Sequence, residues 1–196
     1  MSGVSARYRR RADHFARLIA GASVEKWSNP SPCANWTALG VVEHVVMMHA
    51  HMLRSVDGWS SGPPVAVDPL AAFQAARAGI EHVLATGQLA DARSITPVGL
   101  MSLGEEIDRV VSDDLPLHGW DLAMATGQDT TMNSGDVERL WAIASAIPAE
   151  VMVKYRTPGA FGPGIEVYGA EISVALDAPL QDRLLGIVGR DSLWTA

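Results

Sequence analysis

The segment Asp114-Leu-Pro-Leu-His118-Gly119-Trp120-Asp121-Leu122 decides the reading of this chain, together with His44 far upstream. On a helix of 3.6 residues per turn, Asp114 and His118 stand one turn apart on one face. With His118 as the zero of a helical wheel, Ile107, Val111, Asp114, Leu122 and Ala125 fall within about 40° of it. Glu105, Arg109, Ser112, Pro116 and Trp120 fall on roughly the opposite half. A carboxylate and an imidazole on an apolar stripe are costly to bury unless something compensates them. A divalent metal is one such partner, because His nitrogen and Asp oxygen are ordinary ligands. A plain i,i+4 ion pair, or an Asp fixing a structural His, is the alternative.

His44 supplies a third ligand. Thr37 is suited to cap a helix that carries Val41, Val42, Val45, Val46, Met47 and Met48 around His44, which reads as a central bundle helix. His51 shares the face of His44 but lies two turns on, roughly 10 Å along the axis, too far to bind the same ion; it is a pocket-wall candidate. His49 points to another side and is left out. Asp113, about 140° from His118 on the wheel, is expected to be solvated. Pro116 removes the bond to the Ser112 carbonyl. On the outer face that carbonyl is expected to turn to water, leaving a kink, whereas a helix restarting at Pro116 would take Asp114 off the stripe.

Four helices are legible from punctuation. The first carries Tyr8, Ala12, Phe15 and Ile19 and stops at Gly21. The second runs from Thr37 to the turn-rich stretch at 57–64. Asp68-Pro69 opens the third, which carries Phe73, Arg77, Ile80 and Leu84 as far as Gly87. Ser102-x-x-Glu105 is a capping box for the fourth, the one bearing the Asp/His pair. Shorter helices are expected after Ser134, with Val137, Leu140, Trp141 and Ala144 inward, and from Pro179 to Val188. The Gly/Pro-rich stretch 157–170 should be irregular, with one short strand near Ile165–Val167. The fold class is therefore all-α, a four-helix bundle with crossovers and short C-terminal helices.

The 196 residues are 48% hydrophobic and 19% charged, an ordinary soluble composition. A net charge of −7 argues against nucleic acid as a partner. There is no apolar run of membrane-spanning length, and the basic stretch 1–11 has no hydrophobic signal core, so the cytoplasm is the expected location. One cysteine excludes an intramolecular disulfide and any Cys-rich zinc site. Cys33 reads as a small buried residue before a helix, with nothing beside it to activate the thiol.

At these residues the chain resembles the DinB-like superfamily of metal-binding four-helix bundles. Within it the likeness is to the branch containing the N-terminal domain of mycothiol-dependent maleylpyruvate isomerase. Ser31-Pro32-Cys33-Ala34-Asn35-Trp36-Thr37 resembles the segment leading into the family's second helix, and His44 matches its first metal histidine. Asp114 and His118 match a carboxylate-x-x-x-His pair that continues as Trp120-Asp121-Leu122-Ala123. Phe161-Gly162-Pro163, Asp182-Arg183-Leu184-Leu185 and Gly189-Arg190-Asp191 resemble the ending of a single-domain subgroup, which implies one domain over 1–196. Two departures stand out: the branch has Glu where this chain has Asp114, and Pro116 is foreign to it.

Three protein ligands with an open fourth position are the pattern of a catalytic zinc site. Zinc is the first expectation and nickel the second, although iron and manganese also accept such ligands. The open position could acidify water, implying hydrolysis, or ionise a substrate thiol, implying sulfur chemistry. The resemblance implies the thiol, since relatives use a low-molecular-weight thiol such as mycothiol. It points to a metal-dependent transferase or isomerase joining that thiol to a small electrophile. A non-catalytic metal- and ligand-binding protein and a metal-dependent hydrolase are the competing classes. Asp121 is a candidate to orient a ligand imidazole through its distal N–H, or else a carboxylate at the bundle rim. A homodimer is a further implication of the resemblance.

Overall fold

The computed structural model describes residues 3–96, 99–160 and 167–195. They fall into two compact units, Met1–Thr130 and Thr131–Thr195, each described by itself.

In the first unit α1 (Gly3–Gly21) buries Tyr8, Ala12, Phe15 and Ile19, the apolar positions at helical spacing. Helix α2 (Ala38–Leu53) starts at Thr37, whose hydroxyl accepts from the Gly40 N–H. Helix α3 (Pro69–Ala85) starts at Asp68, whose carboxylate accepts from the Ala71 N–H, with Pro69 in the first turn where its missing donor costs nothing. A short α4 (Gly87–Ala90) and an antiparallel hairpin, β1 (Arg93–Thr96) and β2 (Gly99–Ser102), follow. The hairpin was not expected: its Ile95–Leu100 cross-strand pair lies exposed and Met101 alone of its strand residues is buried, too little for an alternation to read.

The fourth helix begins with the anticipated capping box, in which Ser102 and Glu105 exchange side-chain and backbone bonds. It then runs as α5 (Leu103–Glu106), a π-helical turn (Ile107–Ser112) and α6 (Asp114–Thr126). Gly127, at φ 74°, closes it in the left-handed conformation that glycine adopts without strain. Helices α1 and α2 each pack against both α3 and α6. The two thus occupy opposite corners of the bundle, and the connection between them crosses it. Phe15 meets Phe73 edge-on at 5.0 Å in the middle of the core.

The π-turn and Pro116 change what was read from an unbroken wheel. The helix restarts at Asp114, before Pro116, so Asp114 keeps its place beside His118. Pro116 is buried, as are Ser112 and Trp120, and the Ser112 carbonyl accepts from Arg11 Nη1 at 2.9 Å rather than from solvent. Asp113 is buried too, paired with Arg11 Nη1 at 2.7 Å, which corrects its expected solvation. Within α6 every residue from Leu115 to Ala123 is buried, because the helix has neighbours on most sides.

In the second unit α7 (Ser134–Ser145), capped by Asn133, packs against α9 (Leu180–Ile187), with α8 (Ala149–Tyr155) between them in sequence. Val137, Leu140, Ala144, Leu184 and Leu185 are buried there, and Arg183 lies 4.5 Å from the centre of the Trp141 ring. The strand anticipated near Ile165–Val167 and the Phe161-Gly162-Pro163 motif lie wholly or mostly outside the described residues. Val167 itself is not in a strand.

Candidate metal centre

Helix α2 contributes His44, α6 contributes Asp114, His118 and Asp121, and the segment before α2 contributes Cys33 and Trp36. That segment is a tight fold-back. Ser31 N–H donates to the Trp36 carbonyl at 2.9 Å and Trp36 N–H to the Cys33 carbonyl at 3.1 Å. Asn35 takes φ 67°, a left-handed conformation that asparagine tolerates better than most side chains. Asn29 Nδ2 donates to the Ala125 carbonyl at 2.9 Å, tying the segment to the end of α6. The indole of Trp36 consequently lies over both imidazoles, 4.6 Å from the His44 ring centre and 5.7 Å from that of His118.

His44, Asp114 and His118 come together as expected. Asp114 Oδ2 is 3.6 Å from His44 Nε2 and 3.3 Å from His118 Nε2, and all three donor atoms lie within 4.8 Å of one another. Charge-assisted N–H···O bonds run shorter, at about 2.7–2.9 Å. Donor atoms held at about 2.0–2.1 Å on one tetrahedral ion are themselves about 3.3 Å apart. The spacing and the donor set both fit a divalent transition ion.

The other nitrogen of His118 is already committed. Its Nδ1 lies 2.9 Å from Asp121 Oδ2, and a carboxylate oxygen can only accept, so Nδ1 carries the proton. Nε2 is left to face His44 and Asp114, where it offers a lone pair once unprotonated, the orientation that a carboxylate partner imposes on a ligand histidine. Asp121 is fully buried, so the bundle-rim alternative does not apply. Cys33 Sγ donates to the same Oδ2 at 3.1 Å, and Cys33, His118 and Asp121 form a second group of donor atoms within 4.8 Å. Their separations are those of hydrogen bonds, which assigns this group to orienting His118.

Electrostatics reinforce the pairing. Burial by itself raises the Asp114 carboxyl, but the His118 charge, with the His44 imidazole also facing it, outweighs burial and holds Asp114 well below the carboxylate range. Burial likewise pushes His118 down, yet the Asp114 charge, with bonds to Asp114, Asp121 and Cys33, raises it well above its ordinary value. A proton would therefore compete with any metal for Nε2.

The remaining sequence candidates fall elsewhere. His51 is exposed and its ring nitrogens lie 3.0 and 3.1 Å from Arg54 Nη1, so it does not line this cluster. A residue two turns on has already reached the end of α2 and its solvent-facing side. His49 is outside the cluster but not outside the core: it is fully buried, with Nδ1 2.7 Å from the Val45 carbonyl and Nε2 3.0 Å from Tyr8 Oη. Cys33 was missed as a site residue, whereas Trp36 borders the site in sequence but was given no role there. Pro32 and Asn35 mark the turn that carries them, but its direction is set by contacts distant in sequence.

Among the described residues no helix is long and apolar enough to cross a membrane. Two uncharacterized proteins, from two strains of Mycobacterium tuberculosis, are each 31% identical to the chain over 188 residues, spanning 93% of this chain and 95% of each relative. No solved structure matches the chain significantly. The family model for the mycothiol maleylpyruvate isomerase N-terminal domain matches residues 8–144, a stretch that contains every residue of the cluster, and the chain belongs to that family.

Proposed function

We propose that the protein holds a divalent transition metal, zinc first and nickel second, through His44, Asp114 and His118, and works on a small electrophile with a mycothiol-like thiol, as a transferase or isomerase. The observation that carries the metal is the double commitment of His118, with Nδ1 on Asp121 and Nε2 turned to Asp114. The thiol rests on family membership. Bound there, the ion would supply Lewis acidity, favouring the thiolate over the thiol near neutral pH.

The chain's own residues divide the remaining work. Asp121, which no solvent reaches, fixes the His118 tautomer. Trp36 covers the two imidazoles and shields them from water. The side chains of Asp114 and His44 keep 29% and 19% of their exposure, against 6% for His118, so approach to the centre is from their side. Cys33 donates its proton to Asp121, which suits a supporting role better than that of a nucleophile.

The test begins with elemental analysis of protein purified without added metal or chelator. About one equivalent of transition metal is expected in the wild type, with clear losses in His44→Ala, Asp114→Ala and His118→Ala. Thiols including mycothiol and glutathione are then paired with a panel of electrophiles. Turnover that needs both metal and thiol supports the proposal. Ester or amide cleavage without thiol would favour a hydrolase, and a folded, metallated protein inert to every pair would favour a binding protein.

A further inference from the structure

The π-turn that precedes Asp114 is held from outside by two arginines of α1. Arg7 Nε donates to Asp108 Oδ1 at 3.0 Å, and its Nη2 reaches the second oxygen of the same carboxylate. One turn later in α1, Arg11 Nη1 meets three acceptors: the Ser112 carbonyl at 2.9 Å, Ser112 Oγ at 2.9 Å and Asp113 Oδ1 at 2.7 Å. Arg11 is only 3% exposed.

The spacing matters. Arg7 and Arg11 are four apart and share a face of α1, whereas their partners Asp108 and Asp113 are five apart. On an α-helix residues five apart diverge by about 140°. On a π-turn the backbone bond itself links i to i+5, and here Asp113 N–H donates to the Asp108 carbonyl at 3.0 Å. Only with the extra residue wound into the turn can both carboxylates meet the two arginines. That extra residue also sets the direction in which the next side chain, Asp114, leaves the helix. Pro116 would otherwise leave the Ser112 carbonyl without its helical donor, and Arg11 satisfies it.

We propose that Arg11, assisted by Arg7, is a positioning residue for the metal centre: it locks the π-turn, and so holds Asp114, the first residue of α6, in the helical turn that faces His44. The assignment rests on the metal reading above. Arg11 touches none of the three candidate ligands and acts through the backbone register alone.

Zinc affinity, measured by competition with a chromophoric chelator, tests this in the intact chain. Arg11→Met alone would take the guanidinium away from the buried Asp113 carboxylate, so the informative variant is Arg11→Met combined with Asp113→Asn, checked for folding by circular dichroism. It should bind zinc about tenfold more weakly than the wild type. Adding Asp114→Ala should cost little more in that background, although it costs about tenfold or more in the wild type. Arg11→Lys keeps the charge on a shorter side chain without the planar guanidinium fork, and should weaken zinc while folding normally. It and Arg7→Met with Asp108→Asn carry the comparison if the first pair does not fold. Wild-type affinity in folded variants, or an undiminished cost of Asp114→Ala, overturns the proposal. His118→Ala is the separate control: if it binds zinc as the wild type does, the metal reading itself fails, whatever Arg11 does.

Discussion

At the scale of single residues, two buried histidines show opposite uses of one side chain. His118 has its distal nitrogen tied to Asp121, so Asp121→Ala frees the ring to rotate and to change tautomer. Metal affinity should fall about 10- to 100-fold, with the fold retained, as chelator competition would read. The Asp114 charge raises His118 above its ordinary value and so favours a proton on it in the metal-free protein. Metal must expel that proton. Log affinity should therefore rise by about one per pH unit, levelling once pH passes the raised value. A flat profile between about pH 6 and 8, the range in which an ordinary imidazole titrates, would mean that metal binding displaces no proton from His118. His49 is held the other way: burial pushes it down to about 4, with its Val45 bond opposing the shift. The unfolded chain takes up a proton near pH 6.5 where the native state does not, so His49's contribution to stability is present above that value. It is lost as pH falls through about 4, and the total is on the order of 3 kcal/mol. Urea unfolding at a series of pH values should show this slope in the wild type and a shallower one in His49→Gln.

At the scale of elements, the fourth helix explains both what could be read in advance and what could not. Thr37, Asp68-Pro69, Ser102 with Glu105, and Gly127 are local devices, and each sets a boundary where the backbone needs it. Helical spacing also brought Asp114 under His118, since both lie beyond the irregular turn and share α6. The π-turn itself has no local signature. It is stabilised by Arg7 and Arg11, about a hundred residues away, so a wheel with a fixed 100° step misplaced Asp113 and Ser112, whereas Pro116, beyond the turn, is buried because α6 has neighbours on most sides. The consequence is measurable. Asp113→Asn leaves the Arg11 guanidinium buried without its carboxylate, and breaking such a pair costs about 3–5 kcal/mol. A loss of unfolding free energy under about 0.5 kcal/mol by urea titration, typical of a surface change, would mean the ion pair contributes nothing. His51 and Cys33 teach the same lesson in the site. One shares a face with His44 yet reaches solvent at the helix end, while the other is far from Asp121 in sequence and is delivered to it by a folded-back turn.

At the scale of the whole molecule, every candidate ligand lies in the unit Met1–Thr130, whereas α7, α8 and α9 belong to Thr131–Thr195. A ligand that binds the native state but not the unfolded one stabilises by mass action, about 2.7 kcal/mol at a hundredfold excess over the dissociation constant. That gain belongs to whichever residues must unfold to release the metal. Local opening proceeds in cooperative units, so amide exchange reports how far the gain extends. With zinc added, exchange should slow in Ala38–Leu53 and Asp114–Thr126, which carry His44, Asp114 and His118. It should also slow in Gly3–Gly21 and Pro69–Ala85, which share their core. Ser134–Ser145 and Leu180–Ile187 should exchange at unchanged rates if the second unit opens by itself. His118→Ala should abolish the zinc effect throughout. Equal slowing in both units would instead show that they unfold together, in favour of the single domain over 1–196 that the family resemblance implies. No slowing anywhere in the wild type would mean that the cluster around His118 holds no zinc.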